Sequence, residues 1–186
     1  MCDNKNRICP VEKADSLDTR FRRWFQNPEK ILKPYIKEGM TVLDLGCGPG
    51  FFSVELAKMV GSSGKLIATD LQKGMLEKLK EKIKGTQLEN RITLYKCEED
   101  KIGLTENVDF VLTFYVIHEV SDQDKLFTEI ETILKPNGQI LIVEPPFHVS
   151  KSAFENTIQK AKAVGFTEVK RPNVLFNKAV ILRKKS

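Results

Sequence analysis

The sequence predicts an α/β fold: a doubly wound, mostly parallel seven-stranded sheet with helices on both faces and an antiparallel last strand. Three observations predict it. From residue 41 onward, apolar strand-like runs alternate with amphipathic helical stretches. The strands, such as Val108 to Tyr115, are almost continuously apolar, as expected for a sheet covered on both faces. The last two runs, 166–171 and 178–183, are joined through Asn177 with no helix between them, which gives an antiparallel edge.

The elements justify themselves in order. Residues 1–14 are polar and aperiodic, and a short amphipathic helix follows with Leu17, Phe21, Trp24 and Phe25 on one face. Residues 1–27 are read as an N-terminal extension, either a lid or a docked helix, and 28–186 as one domain. Asn27-Pro28 forms a helix cap with proline at the first helical position, and that helix runs toward Ile36 until Pro34 ends it. Strand 41–45 precedes helix 51–60, strand 65–70 precedes helix 73–84, and strand 92–97 leads to strand 108–115. Helix 122–134 stops at Pro136-Asn137-Gly138, strand 139–143 follows, and helix 151–164 leads to the closing pair.

Composition excludes several classes. A chain of 186 residues with 41% hydrophobic and 30% charged residues buries a real core and is neither disordered nor fibrous. No apolar run reaches the roughly 20 residues that span a bilayer, and the start of the chain has no signal-peptide core, so the expected location is cytoplasmic. The formal charge of +5 is spread over helix faces such as Lys78, Lys80, Lys82 and Lys84 and over the tail Arg183-Lys184-Lys185. Four cysteines, Cys2, Cys9, Cys47 and Cys97, show no C-x-x-C spacing and read as free thiols. Two histidines give no metal site.

The chemistry concentrates at carboxyl ends of strands, where open parallel sheets bind ligands. Asp44-Leu45-Gly46-Cys47-Gly48-Pro49-Gly50 is a strand end, a glycine turn and the entry to a helix, which together cradle a ligand on backbone N–H groups. Asp70 ends the second strand, Glu98-Glu99-Asp100 the third, and His118-Glu119 follow the fourth. A dinucleotide fingerprint, G-x-G-x-x-G, would need glycine where Phe51 stands, and that argues against it.

These residues, with Leu134-Lys135-Pro136-Asn137-Gly138 before the fifth strand and Val116-Ile117-His118-Glu119-Val120 after the fourth, resemble class I S-adenosylmethionine-dependent methyltransferases. The likeness covers roughly residues 28–184 and is nearest the small-molecule branch that includes quinone-ring C-methyltransferases. It implies a Rossmann-like fold and S-adenosyl-L-methionine as cofactor. Gly46, Cys47, Gly48 and Gly50 would wrap its methionine part; Asp44 would order the loop or meet the ammonium group. Asp70 would accept the ribose hydroxyls, Leu71 would lie against adenine, and Glu98 and Glu99 would approach its amine. The carbonyl of Thr113 or Phe114 would meet the ammonium. Where many relatives have Gly-Asp after the third strand, this chain has Cys97-Glu98. Substrate-selecting insertions before the last strands have no counterpart here.

The acceptor side is less defined. His118 is either a general base or a histidine that fixes its loop. His148, near Pro145-Pro146, is a second candidate base, and Tyr115 and Glu119 are candidates to line the acceptor site. Three functions follow: a small-molecule methyltransferase, favoured by the resemblance; a methyltransferase acting on protein or RNA, favoured by the basic charge; and a non-catalytic cofactor-binding domain. Oligomeric state leaves no signal in the sequence.

Overall fold

Adjacent residues of the central strands bury opposite faces, which is the geometric signature of a sheet sandwiched between helices. In a computed structural model of the protein, which describes residues 26–185, Val42 joins one apolar cluster and Leu43 the other. The first cluster packs the sheet against α1 (Pro28–Leu32), α2 (Ser53–Met59) and α3 (Lys73–Ile83), through Leu32, Leu56 and Leu79. The second packs it against α4 (Gln123–Ile133) and α5 (Lys151–Ala163), through Phe127, Ile130, Phe154 and Ile158. The expected helix bearing Trp24 and the thiols of Cys2 and Cys9 lie outside the described residues.

The strands are β1 (Thr41–Leu45), β2 (Lys65–Asp70), β3 (Ile92–Lys96), β4 (Val108–Phe114), β5 (Leu134–Glu144), β6 (Phe166–Lys170) and β7 (Lys178–Lys184). Their spatial order is β3-β2-β1-β4-β5-β7-β6, with β7 antiparallel to both neighbours. The antiparallel strand is therefore enclosed, and β6 is the edge. The order reverses between β1 and β4, so the ligand crevice is expected where their carboxyl ends meet.

Most boundaries shift by a residue or two, and two larger departures have identifiable reasons. α1 ends at Leu32, before Pro34, with the Asn27 side chain accepting the Lys30 N–H at 3.1 Å. β5 begins at Leu134, well before residue 139, because Leu134 pairs with Val108 ahead of a register shift. Asn137 takes a positive φ of 64° in that irregularity, and Lys135 reaches Asp109, whose other task is to accept the Thr41 N–H. No helix among the described residues is long and apolar enough to cross a membrane.

Candidate functional site

The glycine turn joins β1 to α2 and is held from below. Cys47 N–H donates to the Thr69 carbonyl of β2 at 2.8 Å, and the Lys82 ammonium donates to the Pro49 carbonyl. Asp44, only 2% exposed, accepts the hydroxyl of Ser53 at 2.6 Å. Since Ser53 opens α2, this bond ties strand to helix across the turn. Asp44 thus orders the loop, and it also borders the crevice.

The glycines serve different ends. Gly48 has φ +53°, lines the crevice, and a Cβ built on it would meet no atom within 4 Å. Its bare face leaves the backbone open to close approach by a ligand. Gly50, at φ +84°, is set back from the crevice, and a Cβ there would overlap Leu79 Cδ1 of α3. Its lack of a side chain lets loop and helix pack together.

Asp70 closes the floor. It is 8% exposed, and its two oxygens accept the N–H groups of Gly48 and Gln72, each at 2.9 Å. Burial raises its pKa, against the pull of those backbone donors. An ionised carboxylate offers about four lone-pair sites, so the backbone donors of Gly48, Gln72 and Leu71 leave it acceptor capacity. Leu71, Glu98 and Glu99 border the same space. The N–H of Glu98 is given to the Lys101 carbonyl at 3.0 Å. Burial raises the thiol of Cys97 to about 11 and that of Cys47 well above its usual value, so neither is a nucleophile near neutral pH.

Beyond β4 the backbone turns sharply. Tyr115 has φ +65°, unusual for a residue with a side chain, and its hydroxyl accepts from Gln26 and donates to Asn177, both at 2.6 Å. Phe114 stacks between Phe52 and Tyr115 and lines the crevice. Thr113 does not. It lies inside the ladder between β1 and β5, fully buried, with its hydroxyl near the Leu141 carbonyl. Of the two residues expected to offer a carbonyl, Phe114 lines the crevice and Thr113 does not.

His118 sits in a short 3-10 turn, Ile117–Glu119, facing the crevice. Its Nδ1 meets Glu144 Oε2 at 2.5 Å, while Glu144 Oε1 accepts the Ile117 N–H at 2.9 Å. Glu144 is 1% exposed. Burial lowers the His118 pKa, but the hydrogen bond to Glu144 and the charges of Glu144 and Glu119 outweigh it, leaving a net rise. Burial pushes Glu119 up to about 7; His118 opposes this, and the charges of Asp70 and Glu144 add to it. His148 lies 6.5 Å from His118, ring centre to ring centre. Glu144 was not singled out from the sequence. Its only signal was a carboxylate at the carboxyl end of an apolar strand.

The crevice holds about 1080 Å³, at the upper end of the range for sites that enclose a drug-sized molecule. A glycine-loop wall, a strand-end carboxylate and a switch-point crevice together define a nucleoside-cofactor-binding protein of the doubly wound class.

Comparison with known proteins makes this specific. A family model described as a methyltransferase domain matches residues 36–178. A solved S-adenosylmethionine-dependent methyltransferase from Aquifex aeolicus superposes with a TM-score of 0.84 at 31% identity, covering 95% of this chain and 98% of that one. Among curated proteins, the demethylmenaquinone methyltransferase of Lactobacillus johnsonii is 36% identical over 65% of this chain and 49% of its own length. The ubiquinone/menaquinone biosynthesis C-methyltransferase UbiE of Haemophilus ducreyi is 28% identical over 59% of this chain and 42% of its own length. The chain thus spans about half the length of the curated relatives it matches. It belongs to the class I S-adenosylmethionine-dependent methyltransferases. The residues fit that cofactor: Gly48 leaves the wall open, Asp70 keeps acceptor capacity on the floor, and the volume accommodates it.

Proposed function

We propose that this chain moves the methyl group of S-adenosylmethionine to a small-molecule acceptor with an ionisable hydroxyl, with His118 as general base. The observation that carries the base assignment is the bond from His118 Nδ1 to buried Glu144. A carboxylate on Nδ1 holds the proton there and leaves Nε2 as the basic nitrogen. The two curated relatives' names point to quinone biosynthesis, and the reduced, hydroquinone form of such a ring carries the ionisable hydroxyl this step needs and is electron-rich enough to be methylated on a ring carbon.

When bound, S-adenosylmethionine supplies an activated methyl on a positively charged sulfur. The chain's own residues then have three tasks. Gly48 and Asp70 line the crevice and would position the donor, Asp70 accepting the ribose hydroxyls and the Phe114 carbonyl meeting the ammonium group. His118 Nε2 takes the hydroxyl proton of the acceptor, which makes the ring electron-rich enough to attack. Phe52, Phe114 and Tyr115 exclude water around the pair, so that alignment does much of the rest.

Calorimetry with S-adenosylmethionine tests the donor, and no binding at high micromolar concentration would sink the proposal. Methyl-labelled cofactor incubated with size-fractionated cell extract tests the acceptor: label is expected in the small-molecule fraction, and label in protein or RNA overturns that part. Asp70→Ala is expected to weaken cofactor binding about tenfold or more, from lost charge-assisted hydrogen bonds. Unchanged affinity in the same calorimetric titration would remove the ribose assignment.

A further inference from the structure

We propose that Glu129, on α4 and remote in sequence from the glycine loop, is the positioning residue for the adenine side of the crevice. The proposal rests on the cofactor reading above. The chain from β3 to β4 crosses from the sheet edge past β2 and β1, yet residues 97–107 contain no helix. Such a crossover ordinarily carries one. Its backbone polar groups must therefore find partners outside regular structure.

Glu129 supplies them. Its Oε2 accepts two consecutive N–H groups, from Ile102 at 2.8 Å and from Gly103 at 3.3 Å. Tyr95 of β3 takes the other side, its hydroxyl donating to the Gly103 carbonyl at 3.0 Å. The Ile102 side chain, 3% exposed, is anchored in the second apolar cluster. Gly103 has φ +73°, and a Cβ there would stand 2.9 Å from the Tyr95 hydroxyl, so the clamp fits closely. Lys125, one turn before Glu129 on α4, pairs with Asp100 at 3.0 Å, an exposed contact that adds little. Glu98 and Glu99, the residues assigned to the adenine amine, lie on the same segment a few residues earlier. A carboxylate accepting two backbone donors is a strong, directional tie. Without it, the segment keeps its apolar anchor at Ile102 but loses the bonds that set its height over the crevice.

The test compares two ligands that differ only at the base: S-adenosylhomocysteine and its hypoxanthine counterpart, which has a carbonyl in place of the adenine amine. The native protein is expected to prefer the adenine form. Glu129→Ala is expected to bind it about tenfold more weakly and to lose most of that preference. Glu129→Gln keeps an acceptor oxygen at the same reach and is expected to stay within about threefold of native, with the preference intact. A change in stability alone would leave the ratio of the two affinities unmoved. The proposal is overturned if Glu129→Ala retains the native ratio, or if Glu129→Gln loses as much as Glu129→Ala. Should Glu129→Ala not fold, Glu129→Asp, one methylene short of both N–H groups, is read in its place with the same criteria. Failure of the native protein to bind either ligand would overturn the cofactor reading itself, a result distinct from any behaviour of the variants.

Discussion

Replacing Glu144 by glutamine is expected to slow methyl transfer by on the order of 10²–10⁴-fold while cofactor affinity changes little. The argument is one of tautomers. Glu144 accepts the Ile117 N–H through one oxygen and faces His118 Nδ1 with the other. In the glutamine variant the backbone N–H still requires an acceptor, so the amide oxygen turns toward Ile117. The amide NH2 then faces Nδ1, which has to become the acceptor, and the ring proton moves to Nε2. The nitrogen assigned to the acceptor's proton is then already protonated. Single-turnover rates with bound labelled cofactor, together with calorimetry, separate this loss from a binding defect. Native-like turnover in Glu144→Gln would leave His118 as a loop-fixing residue.

The same pair sets a pH dependence. The His118 pKa is raised, so the ring holds its second proton to higher pH than usual. Only the neutral ring takes up a proton. The native rate is therefore expected to fall at acid pH and to rise through a midpoint above the ordinary histidine value of about 6.5. Glu119, at about 7, titrates within the same window, and Glu119→Gln separates its contribution. A native profile flat from pH 6 to 8, roughly the span in which a histidine titrates, would exclude a titrating base there.

The second large effect is on stability. Gly50→Ala is expected to cost about 2–5 kcal/mol, combining an unfavourable left-handed conformation with overpacking against Leu79. For a chain of this size that is roughly 4–20 °C in Tm, measured by thermal or denaturant unfolding. Gly48→Ala provides the contrast. Its φ is also positive, but its Cβ meets nothing, so it is expected to lower stability by only about 1–2 kcal/mol and to hinder cofactor approach instead. If the two variants lost stability equally, the packing role given to Gly50 would be wrong.

Much of the donor side was legible in the sequence because its signals are local. A glycine turn between strand and helix, and a carboxylate at a strand end, need only the α/β pattern to bring Gly48 and Asp70 to one crevice. The acceptor side depends on register. Glu144 reaches His118 only because β5 pairs with β4 so that Phe114 stands opposite Val143. Thr113 and Phe114 are neighbours in sequence, and only the ladder decides which one lines the crevice. Glu129 was silent for the same reason: an acidic residue on an amphipathic helix looks like any solvated one until the crossing segment is placed above it. Leu134 joined a strand and not the helix before it because pairing with Val108 overrode the helical period.

The reversed direction of β7 has a further consequence. Because β6 runs with the parallel strands and β7 against them, the hairpin between them opens on the same edge as the glycine loop. It carries Leu175, Phe176 and Asn177 to the mouth of the crevice, with Phe176 83% exposed. Were β7 parallel to β6, a crossover would have to join them in place of this tight hairpin. Changes in hairpin length or composition would therefore reshape this side of the crevice mouth without touching β1, β2 or their glycine turn.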